Sequence, residues 1–251
     1  MSGVTRIRTA TAMAFRDQWR RPLLLVLLIL IPAYVIARSI AITEATPRQV
    51  GLPGGEVVLS TMREIHGAVM AGNVIAFVCG LVGVFTMHSS LLGDRRLVIA
   101  GYAPAEAMTA RLLVVIAATA VVVAVSAVVT ALYFEPEAWP VFLGGLVLIG
   151  LTYVALGAIA GSVLDKLAAT YLMLFLAMTD LGIVQNPMFG DGDAGGWAAA
   201  LPGWGAGQLM VEGAFAGGFG ASAELLAALA WLSALGVLTF AVLRRQLGPL
   251  A

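Results

Sequence analysis

The sequence predicts an all-α integral membrane protein with six transmembrane helices, an N-terminal interfacial amphipathic helix and a re-entrant outer segment before the last helix. Three observations carry that expectation. Of 251 residues, 61% are hydrophobic and only 11% charged, whereas a soluble domain runs near roughly 45–50% apolar with about a quarter charged. Six stretches approach the roughly 20 apolar residues that a helix needs to cross hydrocarbon. The basic residues then fall almost entirely on one side of those stretches.

Residues 4–20 open the chain as an interfacial helix. At 100° per residue Val4, Ile7, Thr11, Phe15 and Trp19 share one side, while Arg6, Thr9, Arg16 and Arg20 share the other. The apolar stretch that follows is too long for a signal peptide and has no prompt small-residue cleavage site.

The spans are residues 23–42, 67–92, 112–134, 141–164, 167–189 and 225–243. The first opens after Arg20-Arg21-Pro22 and holds Pro32. The second ends at Gly93-Asp94-Arg95-Arg96, the third at Glu135-Pro136-Glu137 and the fourth at Asp165-Lys166. The fifth alone carries a deep acid, Asp180, and Arg244-Arg245 closes the sixth. With the N-terminus inside, inner segments hold eleven of the fourteen Lys and Arg residues, and only Arg38, Arg48 and Arg63 lie outward. The bias of basic residues toward cytoplasmic loops therefore gives both termini inside.

The first outer loop, Thr43–His66, is polar and reads as irregular apart from a short helical turn near its end. Residues 190–221 are different, glycine-rich with Trp197, Trp204, Phe215 and Phe219 but few charges. So apolar a segment is expected to dip back into the outer leaflet as short helices broken at Pro202-Gly203, which protein burial of the freed backbone permits.

The sequence points away from an enzyme. There is no P-loop, and Cys79 is the lone cysteine, which rules out an intrachain disulfide or thiolate metal site. His66 and His88 are 22 residues apart, about 33 Å along a helix and too far to share a metal. Net charge is zero, so there is no nucleic-acid footprint.

Small residues line two helix faces: Ala76, Gly80 and Gly83 on the second span, and Gly150, Gly157 and Gly161 on the fourth. Such stripes let helices approach closely, within the chain sooner than between copies. Tyr153, Tyr171 and Phe175 read as aromatic core or lipid contacts in preference to a substrate path. Arg38 and Asp180 are placed at about 22 and 20 Å from the inner ends of their helices. The costs of isolated intramembrane charges lead to the expectation that the two residues pair, the alternatives being that Arg38 snorkels to the outer headgroups and that Asp180 is protonated or faces a water-filled cleft.

The inner loop, residues 93–111, holds the most specific pattern. It starts charged, runs as a short apolar segment Leu97–Ala100, breaks at Gly101-Tyr102-Ala103, and restarts at Pro104 with Glu106 in the first turn. Together with the interfacial helix, the six spans and the apolar segment before the last one, this stretch resembles the permease subunit of ABC-2-type exporters. The resemblance covers essentially the full length. It implies a coupling helix that contacts a partner ATPase through Asp94, Arg95, Arg96, Leu97, Ile99, Gly101, Tyr102, Pro104 and Glu106. It further implies two ATP-binding subunits carrying ATP and Mg2+, a second permease (identical or a sister), and the plasma membrane of a bacterium. Cargo would be a hydrophobic small molecule, drug or lipid, with copper and polysaccharide as other cases. A stand-alone channel or ion-coupled carrier, or a structural subunit of a membrane complex, are the competing readings.

Overall fold

The computed structural model describes residues 3–19, 22–53, 55–188 and 196–247. Among these residues eight α-helices follow in order: α1 (Gly3–Trp19), α2 (Pro22–Ile42), α3 (Met62–Ile99), α4 (Pro104–Ala131), α5 (Trp139–Val163), α6 (Lys166–Thr179), α7 (Trp204–Phe215) and α8 (Ser222–Leu247). Five of them contain segments long and apolar enough to cross a membrane: Met62–His88, Ala105–Ala131, Trp139–Val163, Lys166–Val184 and Ser222–Gln246. α2, with Pro32 inside it, is also apolar over Leu28–Ile42.

α3 is the hub and touches α2, α4, α5, α6, α7 and α8. Its closest neighbour is α5, because the two small-residue stripes meet face to face. A Cβ on Gly157 would run into the Gly80 carbonyl, one on Gly83 into the Val154 carbonyl, and one on Gly161 would lie 2.9 Å from Val84 Cα. The stripes thus pack helices within the chain. Around this seam Ile75, Leu146, Ile149 and Tyr153 are fully buried. Burial fades outward: the apolar window of α3 is 72% buried, that of α8 only 11%. Apolar side chains cover that outer face, Leu226, Val237 and Phe240 among them, each half or more exposed. A water-soluble monomer rarely leaves so large an apolar surface open.

Several boundaries depart from the sequence reading. The expected second span does not stop at Gly93. α3 runs unbroken for 38 residues, about 57 Å, since one Gly costs only about 1 kcal/mol in a helix and Asp94-Arg95-Arg96 carries the helix on. The separate short helix expected from Leu97 is therefore the last turn of α3. On the far side of the turn α4 already begins at Pro104, so most of residues 93–111 is helix and not loop.

The loop between α2 and α3, expected on the outer side, is also more ordered than expected. β1 (Pro47–Gly51) and β2 (Val57–Thr61) form an antiparallel hairpin, with Val50 opposite Val58. Val50, one pair back from the turn end of the hairpin, is buried. β2 leads straight into α3 through a capping box: Glu64 N–H donates to Thr61 Oγ1 at 3.3 Å, and Thr61 N–H donates back to Glu64 Oε2 at 3.1 Å.

α6 starts on Asp165, whose Oδ1 accepts from Leu167 N–H and Ala168 N–H at 2.9 and 3.0 Å. It passes into a π-helical turn at Asp180–Val184, and part of the expected fifth span, Phe189, lies outside the described residues. Beyond it, Ala198–Ala200 form one 3-10 turn and α7 follows the break at Pro202-Gly203. Almost every residue of α7 is buried, from Gly205 to Phe215. Its seat is α5, where a Cβ on Gly145 would come 2.6 Å from Met210 N. The backbone also ties it down, with Ala138 N–H donating to Gly213 O at 2.9 Å. Phe134, Phe142 and Phe215 close this end, the Phe134 and Phe215 rings stacked at 6.3 Å.

Candidate functional site

The α3–α4 turn is built by a Schellman motif. Tyr102 N–H reaches back to Leu97 O and Gly101 N–H to Val98 O, both at 3.0 Å. Gly101 takes φ +91°, a left-handed conformation that favours glycine. Pro104 then opens α4, and Glu106 Oε2 accepts from Ala103 N–H at 2.9 Å. That contact is half of a capping box, since Ala103 has no side-chain acceptor to return it.

α1 locks the turn in place. Arg6 Nη1 donates to Gly101 O at 2.9 Å and lies 3.9 Å from Glu106 Oε2. Its guanidinium also stands 5.9 Å from the Tyr102 ring centroid. One arginine thus holds the carbonyl of the turn glycine, the acid that caps α4, and the aromatic ring between them. On the other side of the turn Ile99 is 85% exposed, so the tip carries an apolar side chain on a backbone fixed from behind.

Of the residues expected here from sequence, Gly101, Tyr102 and Glu106 are brought together. Arg96 is exposed and Leu97 half-buried on the last turns of α3. The side chains of Asp94, Arg95 and Pro104 lie outside the described residues. Sequence reasoning missed Arg6, which it put on the solvated face of α1. The helix is rotated from that expectation: Ala10 is buried against the bundle, while Phe15 on the expected apolar face is exposed. α1 packs chiefly on α4.

A second polar cluster sits deep among α5, α6 and α7. Asp180 is 1% exposed. Its Oδ2 accepts from the Tyr153 hydroxyl at 2.7 Å and from Gly203 N–H at 2.8 Å. The π-turn places it, with Gln185 N–H donating to Asp180 O at 2.8 Å. A π-turn of this kind inside an apolar helix is frequently a functional feature. Gln185 stands beside the carboxylate and donates through Nε2 to Ala198 O at 2.9 Å. Among the described residues, no donor reaches Asp180 Oδ1 or Gln185 Oε1. Asn73 of α3 borders the same turn, since a Cβ on Gly182 would fall 2.9 Å from its Nδ2.

The expected Arg38–Asp180 pair does not form. Arg38 is exposed on α2, while the Asp180 carboxylate turns toward α5 and the start of α7, where two neutral donors satisfy Oδ2. Equal depth along two helices fixed their height but not the direction each side chain takes. Tyr153 is fully buried, in contrast to Tyr171 and Phe175, which are 53% and 64% exposed.

Glu212 of α7 is the other buried acid that sequence reasoning passed over. Both its oxygens accept from Ala221 N–H at 3.1 Å, and Oε1 also takes Gly220 N–H. It therefore caps the N-terminus of α8 from within α7. Among the described residues no three His, Cys, Asp or Glu side chains gather as a metal set. Compared with known proteins, the chain matches no family model and no curated sequence.

Proposed function

We propose that the chain is the membrane-spanning permease subunit of an ABC-2-type exporter. In this reading α2 crosses the bilayer along with the five long apolar helices, both termini and the α3–α4 turn face the cytoplasm, and α7 is a re-entrant helix in the outer leaflet. The permease moves a hydrophobic small molecule, drug or lipid outward. Two separate subunits bind and hydrolyse ATP, and a second permease, identical or a sister, completes the path.

One observation carries the reading: the α3–α4 turn is rigid behind and apolar in front. A coupling element must transmit a push without bending, and it must offer a surface that a partner can grip. Arg6 supplies the first property by tying Gly101 and Glu106 to α1, and Ile99 supplies the second by standing 85% exposed. The basic residues of α1, α4 and the end of α8 share this end of the bundle, which supports placing it in the cytoplasm.

The test is reconstitution with a P-loop ATPase, a reading frame beside this gene being the first place to look for it. Copurification and ATP-dependent export into the lumen of inverted vesicles are the expected results. Ile99→Asp and Gly101→Val should keep the permease inserted but separate hydrolysis from transport. Labelling of residue 94, as a lone cysteine in a Cys79→Ala background, from outside the cell would overturn the orientation and the reading with it.

The buried Asp180 cluster favours a second reading, an ion-coupled carrier. Transport that persists without any ATPase and disappears in Asp180→Asn would select it.

A further inference from the structure

The β1–β2 hairpin leaves one strand edge open. Leu52 N–H donates to Glu56 O at 2.7 Å and Met62 N–H to Thr46 O at 2.8 Å, and the same register sets Val50 opposite Val58 and Arg48 opposite Ser60. Hydrogen-bonded pairs alternate along an antiparallel ladder, so Val58 and Ser60 spend their backbone groups on β1. Val57, Leu59 and Thr61 turn theirs the other way. Thr61 N–H is taken by Glu64 Oε2 at 3.1 Å. Among the described residues nothing bonds the N–H or C=O of Val57 or Leu59 on that side.

The same two residues carry exposed apolar side chains, Val57 at 58% and Leu59 at 73%. Alternation along a strand puts them on one face. The opposite face carries Val50, buried in the core together with Leu52. Residues 47–61 fall between the apolar segments Leu28–Ile42 and Met62–His88 and include Arg48 and Glu56, so water and not lipid meets Val57 and Leu59. The outer edge of β1 is blunted, since Pro47 has no N–H to offer and Arg48 stands exposed beside it. β2, reading Val-Val-Leu-Ser-Thr, has no charge at all.

We propose that β2 pairs with β2 of a second copy of this chain, antiparallel about a two-fold axis at Val58, so that one sheet runs through both hairpins. Val57 forms a hydrogen-bonded pair with Leu59 of the partner subunit, and Leu59 with the partner's Val57. Free groups placed symmetrically about one residue make the edge self-complementary, as an isologous contact requires. The neighbouring registers fail. An axis at Leu59 would need Thr61 N–H, which Glu64 holds, and an axis at Val57 would need Gly55 N–H, which Leu52 O holds at 3.1 Å. Glu56 falls opposite Ser60 of the partner subunit, so no like charges meet. The axis is perpendicular to the sheet and leaves both buried faces on the same side, as copies inserted the same way in one membrane need. Because the β1 edge is blunted, pairing closes at a dimer. The inference deepens the exporter reading by making the second permease an identical chain and giving it a contact. It needs neither ATPase nor transport, so its failure and the failure of that reading are separate events.

The experiment is disulfide trapping in membranes holding the full-length chain, expressed alone in a Cys79→Ala background. Val58→Cys puts two thiols at a non-hydrogen-bonded pair, with Cα atoms about 4.5 Å apart and within disulfide reach. Oxidation by copper phenanthroline should give a covalent dimer that a reductant reverses, and Gln49→Cys on the other edge should give about tenfold less. Leu59→Pro deletes an N–H that points away from β1, so the hairpin keeps its own bonds. Combined with Val58→Cys, it should cut the dimer about tenfold with the unfolding temperature unchanged. Should Val58→Cys disturb the hairpin, differently tagged Val57→Cys and Leu59→Cys chains give the same reading: they should cross-link to each other and far less to themselves. Trapping in both arms no stronger than with Gln49→Cys overturns the pairing. So does a dimer that Leu59→Pro leaves unchanged, or capture of a different protein in place of the second copy. Self-trapping of Val57→Cys or Leu59→Cys as strong as that of Val58→Cys overturns the axis at Val58.

Discussion

The Tyr153 hydroxyl donates to Asp180 Oδ2 at 2.7 Å, joining α5 to the π-turn that continues α6. The same oxygen takes Gly203 N–H, so one carboxyl atom holds three segments of the chain. The other atom, Oδ1, has no donor among the described residues.

This asymmetry predicts how Asp180 responds to substitution. Asp180→Asn keeps an oxygen for Tyr153 and Gly203 and puts an amide nitrogen where Oδ1 had no donor, so stability should hold. Asp180→Ala strands a buried hydroxyl and a buried N–H, at about 1–3 kcal/mol each. Tyr153→Phe removes one donor and should fall between them. Denaturation of the detergent-purified variants gives the order directly; an Asn variant as unstable as the Ala variant would contradict it.

Arg6 makes a different prediction, because its contacts lie at the exposed end of the bundle. A single ion pair there is worth little, so Arg6→Ala should barely move global stability. What it should change is local: amide exchange across residues 3–19 and at the turn should rise about tenfold, as the docking of α1 loosens. Exchange in the α3–α5 seam should stay as it was. Gly101→Val should act on the same turn by another route, because a β-branched side chain at φ +91° is strained.

How much of this was legible in the sequence depends on the kind of force involved. The long apolar helices follow from hydropathy, and the seam follows from glycine and alanine spacing at 76, 80, 83 and 150, 157, 161, because both are periodic properties of one segment. The hairpin was hidden since β1 reads Pro-Arg-Gln-Val-Gly, a poor strand by composition. The Val57-Val58 pair after Pro53-Gly54-Gly55 was the available signal. The helix end at Gly93 was misread because a charged run looks like a membrane exit, and leaving the membrane does not end a helix. Asp180 with Tyr153, Arg6 with Gly101, and Glu212 with Ala221 are contacts between segments whose relative rotation no single-segment pattern encodes.

Glu212 offers a test of one such contact. Its carboxylate supplies the acceptors for Gly220 and Ala221 N–H at the start of α8. Glu212→Ala leaves the buried Ala221 N–H without a partner, Gly220 being open to solvent, and should cost about 1–3 kcal/mol. Glu212→Gln retains one acceptor oxygen and should recover at least half of that loss. Thermal unfolding in detergent, followed by circular dichroism, checks both; equal losses would mean that charge at the helix terminus, not the hydrogen bonds, is what matters.

Two adjacent glycines on α5 should respond to the same mutation with opposite signs. A Cβ on Gly144 meets nothing within 4 Å, whereas one on Gly145 falls 2.6 Å from Met210 N and 3.0 Å from Ala206 O on α7. Replacing glycine by alanine in a helix gains up to about 1 kcal/mol from propensity alone. At Gly144 nothing opposes that gain, so Gly144→Ala should leave the protein as stable or slightly more so. At Gly145 the obstacle is backbone, which cannot rotate aside as a side chain can, so α7 must move off α5. Overpacking of this kind costs about 1–3 kcal/mol, enough to outweigh the propensity gain. Gly157→Ala, driven against the Gly80 carbonyl, should behave like Gly145→Ala for the α3–α5 seam. The three unfolding curves, measured side by side, check the closeness of both contacts. If Gly145→Ala proved as stable as Gly144→Ala, α7 would not be seated on α5 as closely as the structure has it.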